Sequence, residues 1–196
     1  MNWVRIKKDS ILVNGNALPT EFSGKAMLKE IYKKHMGGYP KFFKMDALCR
    51  LGLIASELLL QQESPRVTDT EHRAVILFNR ASSLCDDRNY QATIQDADNF
   101  FPSPAVFVYT LPNIVTGEIS IRNKYYGETL FCVLPRFDAQ AMCDVVREAF
   151  LDPMTSDVMT GWVDCESDDD FDACMLLASP ADKDFTPEFI NEIYNK

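Results

Sequence analysis

The segment Ala47-Leu48-Cys49-Arg50-Leu51-Gly52-Leu53-Ile54-Ala55-Ser56-Glu57-Leu58-Leu59-Leu60 constrains the fold more than any other part of the sequence. It has helix length, Asp46 stands before it as a natural N-cap, and apolar side chains occupy nearly its whole circumference. Such a helix must be covered on most sides. It is too short for the ~20 residues that a membrane span needs, and no other stretch of the chain reaches that length. The cover has to come from the rest of the chain. With 46% apolar and 25% charged residues, the composition is that of a globular protein and disfavours disorder, collagen-like repeats and coiled coils.

The pattern around this helix alternates between the two periods. Trp3 to Ile6 and Ile11 to Val13 read as strands, with Asn14-Gly15-Asn16 as a turn, so a hairpin is expected. Ser23 to Lys34 reads as an exposed basic helix stopped by Gly37-Gly38-Tyr39-Pro40. Ala74 to Phe78 is a continuous apolar run of strand length, the mark of a strand covered on both faces. A helix over about Asp87 to Asp98 follows. Ser103-Pro104 then opens a helical region that Pro112 divides and Gly127 ends. Thr129 to Leu134 reads as a buried strand. Asp138 caps a helix to about Phe150, with Met142, Val145, Val146 and Ala149 on one face. Val158 to Val163 and Ala173 to Leu177 form an antiparallel strand pair around an acidic turn, and Thr186-Pro187 starts a last helix ending near Tyr194. The alternation predicts an α/β fold of layers, with helices on both faces of a mixed, mostly parallel sheet.

Charge and motif content exclude several functions. A net charge of -9 argues against a nucleic-acid binder, which needs a cationic face. The charge is uneven: nine Lys/Arg face three acids in residues 1–44, whereas two lysines face twelve acids in residues 152–196. The front end is thus a candidate docking patch for an acidic partner, or a plain solvated face. Met1-Asn2-Trp3-Val4 followed by charges is not a signal peptide, so the cytoplasm is the expected compartment. Six cysteines without a CxxC pair suit reduced core thiols rather than a disulfide framework. His35 and His72 have no Cys or His at zinc spacing, and the Asp168 to Asp172 run lacks the Gly and the final Glu of an EF-hand loop, so no metal or other cofactor is expected. There is no GxSxG, GxxxxGK or GxGxxG pattern.

The stretch SPAVFVYTLPNIVTGEISIRNKYYGETLFCV, Ser103 to Val133, is more specific. Ser103, Pro104, Phe107, Asn113, Gly117, Ser120 and Ile121 resemble the region ahead of the nucleophile in β-ketoacyl-acyl carrier protein synthases of the thiolase-like superfamily. Lys44-Met45-Asp46 leading to Arg50 and Leu51 is similar to the family's early helix, and Val158-Met159-Thr160-Gly161-Trp162 to the strand after its nucleophile helix. The resemblance implies one ketosynthase N-terminal-like domain over 1–196, a thiolase-like half-domain. It puts the catalytic cysteine position near Arg136 or Phe137, neither of which can accept an acyl group. Cys132 lies earlier, inside the predicted strand, and reads as a core residue. The family's two catalytic histidines belong to a second half that this chain is expected to lack.

Three readings follow. The first is a non-catalytic subunit resembling chain length factors, which assists a full-length ketosynthase in type II fatty-acid, polyketide or aryl-polyene-type synthesis. In the family a strand near the nucleophile pairs across the dimer, which makes Thr129, Leu130, Phe131, Cys132, Val133 and Leu134 the candidate interface. Arg136 and Phe137 either line the vacated pocket or simply pack before a helix, and the basic segment from Arg5 to Lys44 is a candidate contact for an acyl carrier protein. The second is a shortened condensing or acyl-transfer enzyme using Cys132. The third is a homodimeric structural module.

Overall fold

The computed structural model describes residues 1–65, 71–98 and 101–196. β1 (Trp3–Lys7) and β2 (Ser10–Val13) form the expected hairpin, extended by a two-residue β3 (Asn16–Ala17) through a turn in which Asn14 and Gly15 both take positive φ. α1 (Gly24–Ile31) runs on into a π-helical turn, Tyr32–Met36. It is basic, but it is not simply exposed: Met27, Leu28, Ile31 and Tyr32 form a buried face. α2 (Ala47–Leu60) is the all-round apolar helix, with only Arg50 outside its buried set. Asp46 caps it by accepting from the backbone N–H groups of Leu48 at 3.1 Å and Cys49 at 3.2 Å.

β4 (Arg73–Asn79) is buried at every position. α3 (Leu84–Ile94) begins and ends earlier than expected, because Asp86 and Asp87 occupy its first turn, where the helix dipole favours acids, rather than capping it. The segment divided by Pro112 is α4 (Pro104–Phe107) with a short 3-10 turn, then α5 (Ile114–Asn123). α5 ends at a left-handed Lys124, before Gly127. Gly127 serves a different purpose: a Cβ there would lie 2.3 Å from the Arg73 carbonyl oxygen. β5 (Thr129–Val133), α6 (Ala139–Ala149), the hairpin β6 (Asp157–Ser167) and β7 (Asp170–Ala178), and α7 (Pro187–Tyr194) complete the chain. The Asp138 and Thr186 side chains cap α6 and α7 as expected, accepting at 3.0 and 3.2 Å.

The seven strands form one sheet in the order β3-β2-β1-β7-β6-β4-β5. Only β4 with β5 and β4 with β6 pair in parallel; the other four pairings are antiparallel. The sheet is mixed but not mostly parallel, because the β6–β7 hairpin reverses the chain and β1 then aligns against β7. Alternate residues face opposite layers. One face packs Val75, Leu77, Met159 and Val163 against α1, α2 and α5; the other packs Ile76, Phe78, Val158 and Trp162 against α6 and α7. Each Leu or Ile of α2 buried in this way contributes about 1.5–3 kcal/mol. Gly52 lets α5 cross close by, since a Cβ there would meet Val115 Cγ2 at 2.4 Å.

β5 departs from the expected burial. Thr129, Leu130 and Val133 are exposed, and Phe131 and Cys132 are only half-buried. The strand is the last in the sheet, with β4 on one side and no strand on the other among the described residues.

Candidate functional site

The parallel strands β5, β4 and β6 end on the same side of the sheet, the side on which open α/β sheets place their ligands. A cleft of about 320 Å³ opens there. Arg136 and Phe137, from the β5–α6 connection, line it together with Arg80, Trp162, Asp164, Glu166, Asp172 and Tyr194. The Phe137 ring stacks on Tyr194 at 3.6 Å between centroids and meets Trp162 edge-on at 5.6 Å. Phe137 therefore both lines this cleft and packs against the sheet. Arg136 is exposed, and no ion pair engages it among the described residues.

Polar contacts fix the cleft walls. Arg5 pairs with Asp172, donates to the Tyr194 carbonyl at 2.8 Å, and lies over the Tyr194 ring at 4.7 Å. Asp164 accepts from the backbone N–H groups of Arg80 and Ala81 at 3.2 and 2.9 Å, while the Arg80 side chain pairs with Glu166. Burial, reinforced by the Asp172 charge, pushes the Tyr194 hydroxyl up to about 12, so it stays a neutral donor. This arrangement holds an aromatic wall in place. Among the described residues lining it, no nucleophile is paired with a base.

Cys132 sits two strand positions before the turn into the cleft, its side chain directed to the α6 layer beside Leu134 and Phe137. It is half-buried rather than a full core residue, and burial raises its pKa above the ordinary thiol value, the opposite of activation. Burial pushes Cys143 up to about 11 and Cys174 up to about 12. All six thiols are free.

The free edge of β5 is the second feature. Val75 N donates to the Glu128 carbonyl and Leu134 N to the Asn79 carbonyl, both at 2.8 Å, so the even-numbered residues of this strand bond to β4. In a parallel ladder a residue directs both its N–H and its C=O to one side. Thr129, Phe131 and Val133 therefore present six backbone groups outward. Of the candidate interface residues, Thr129, Leu130, Phe131, Cys132 and Val133 form this strand and Leu134 follows it directly.

No protein-family model matches the sequence, and no curated protein matches it. Solved structures do. A chain of the ishigamide ketosynthase/chain length factor superposes with a TM-score of 0.67 at 14% identity, covering 93% of this chain and 62% of that one. The chain has the thiolase-like fold of ketosynthases and chain length factors. A chain of the ketosynthase ApeO in complex with its chain length factor ApeC from Xenorhabdus doucetiae matches with a TM-score of 0.55 at 14% identity, over 93% and 79% of the two chains. The AntDE:AntF structure, a type II acyl-carrier protein in complex with its ketosynthase, matches at 0.50 and 10% identity, over 92% and 64%. The chain thus spans less than two thirds of the ishigamide protein.

The cleft gathers Arg136 and Phe137, which the sequence singled out, with Arg80, Asp164 and Tyr194, which it did not, and with Asp172, the ion-pair partner of Arg5, a residue expected only in a basic docking segment. One signal was available for Arg5: a cation inside the short apolar run Trp3-Val4-Arg5-Ile6 needs an anionic partner, which the half-buried Asp172 provides.

Proposed function

We propose that this chain is a non-catalytic, chain-length-factor-like subunit that pairs through β5 with a full-length ketosynthase in type II acyl-chain assembly. The observation that carries the reading is the juxtaposition of a β5 edge with no strand beyond it among the described residues and a cleft lined by Arg136 and Phe137, which fits the reading of a vacated nucleophile position. An open strand edge carrying Leu130 and Val133, 37% and 51% exposed, favours a strand partner. Two structural neighbours carry the names of both a ketosynthase and a chain length factor, which agrees with this reading.

The opposite layer supports reading residues 1–196 as a single domain. α6 turns Gln140, Asp144, Arg147 and Glu148 outward and α7 turns Glu188, Asn191 and Glu192 outward, so both helices close the sheet with a polar surface. No described helix is long and apolar enough to cross a membrane. The basic segment is the proposed contact for an acyl carrier protein, through the exposed Lys29 and Lys33 of the first helix and its π turn.

The test is binding to a full-length ketosynthase from the same organism. Val133 is 51% exposed on this edge strand, so Val133→Lys removes apolar contact area and places an ammonium at the proposed seam. Binding should weaken at least about tenfold while folding stays intact, since surface substitutions shift stability by only about 0.5 kcal/mol. Unchanged binding refutes the edge reading. Stable acylation of Cys132 by a malonyl thioester, mapped by peptide mass, would favour the condensing-enzyme reading instead. A stable homodimer that ignores the ketosynthase would favour the structural module.

A further inference from the structure

Beside the free edge of β5 the sheet is incompletely covered. Ile76 and Leu130, register partners on β4 and β5, form the floor of a groove of about 280 Å³ whose other wall is Val145 and Ala149 of α6. Three acids ring this apolar floor: Glu128 just before β5, Glu148 on α6 and Asp152 just after it. No ion pair engages them among the described residues; the nearby Arg147 reaches Asp144 instead. An apolar pocket rimmed by unneutralised acids attracts one kind of side-chain set: an apolar residue for the floor, with a cation beside it.

We infer that this groove is the specificity element of the β5 interface, and that the partner ketosynthase fills it with an apolar side chain flanked by Lys or Arg. The inference rests on the proposed edge pairing and names its chemistry. Two observations favour this occupant. The groove is continuous with the strand edge through Glu128 and Leu130, so a strand added to β5 passes its mouth. Among the described residues no cation of the chain pairs with these carboxylates, so a cationic partner neutralises them on docking whereas an acidic one is repelled.

The experiment uses the intact chain and a purified full-length ketosynthase from the same organism. Dissociation constants are measured for wild type, Glu128→Lys/Glu148→Lys, Glu128→Gln/Glu148→Gln and Val133→Lys, from about 0.05 to about 0.3 M salt, with thermal melting as the check of folding. The expected result is a loss of about tenfold or more for the Lys pair, a smaller loss for the Gln pair, and a salt dependence that flattens in both. If Val133→Lys disrupts binding but both Glu variants bind as wild type, the groove inference is overturned and the edge pairing stands. If none of the variants weakens binding, or the ketosynthase does not bind, both fall.

Discussion

Removing the Arg73 side chain should unfold the end of the sheet that supplies β5. Arg73 opens β4 and is 2% exposed, yet it is a cation. Its guanidinium pairs with Glu63 at 2.6 Å, pairs with Asp157 at the start of β6, and donates to the Tyr125 hydroxyl at 3.2 Å. Burial alone would lower the Arg73 pKa, but the Glu63 hydrogen bond and the Asp157 charge outweigh it and hold the group charged. Tyr125 and Gly127 lie in the link between α5 and β5, so the network ties that link to the sheet. Arg73→Met keeps much of the volume but strands Glu63, 7% exposed, and Asp157, 17% exposed, without a cation. Breaking a buried pair in this way costs about 3–5 kcal/mol. At about 2–4 °C per kcal/mol for a chain of this size, the melting temperature should fall by roughly 6–20 °C. Denaturant titration reports the change through Trp3 and Trp162, both buried in the α6 and α7 layer. The triple variant Glu63→Gln/Arg73→Met/Asp157→Asn removes the stranded charges and should recover much of the loss. A loss below about 1 kcal/mol for Arg73→Met, or a triple variant no better than the single one, refutes the reasoning.

Two further outcomes follow from the charges. Burial, with the hydrogen bond and charge of Asp46 added, pushes the Asp86 carboxyl up to about 8 from an ordinary value of 3.8; it therefore keeps its proton in the folded state where the unfolded chain has lost it. Stability should fall as pH rises from about 4 to about 8, and Asp86→Asn should flatten that slope; parallel profiles for wild type and variant in chemical denaturation contradict this. Lys29→Glu/Lys33→Glu should weaken binding of a purified acyl carrier protein in calorimetry at low salt without changing the melting temperature, and unchanged affinity removes the basic patch from the proposed contacts.

Local signals carried the elements. Asp46, Asp138, Thr186 and Pro187 announced helix starts that the backbone uses as read, and the apolar run of α2 correctly implied cover on nearly all sides. Position in the sheet was harder to read. Leu130, Phe131, Cys132 and Val133 look like a buried strand because an apolar edge strand carries the same residues as an interior one; only the strand order separates the two. The parallel share was overestimated for a related reason, since helices between strands do not reveal that β1 pairs with β7, almost the whole chain away. The cleft was half legible: Arg136 and Phe137 came from counting along the motif, but Tyr194 joins Phe137 across 57 residues of sequence, which no spacing rule connects.

The central claim is that β5 is a seam for a ketosynthase strand, and amide hydrogen exchange tests it residue by residue. In the chain alone, the Leu130, Cys132 and Leu134 amides, bonded to β4, should exchange slowly, while those of Thr129, Phe131 and Val133 exchange fast. In complex with the full-length ketosynthase, the three odd-numbered amides should become protected as well. If they still exchange at the free-chain rate in a saturated complex, the partner binds elsewhere and the account is wrong.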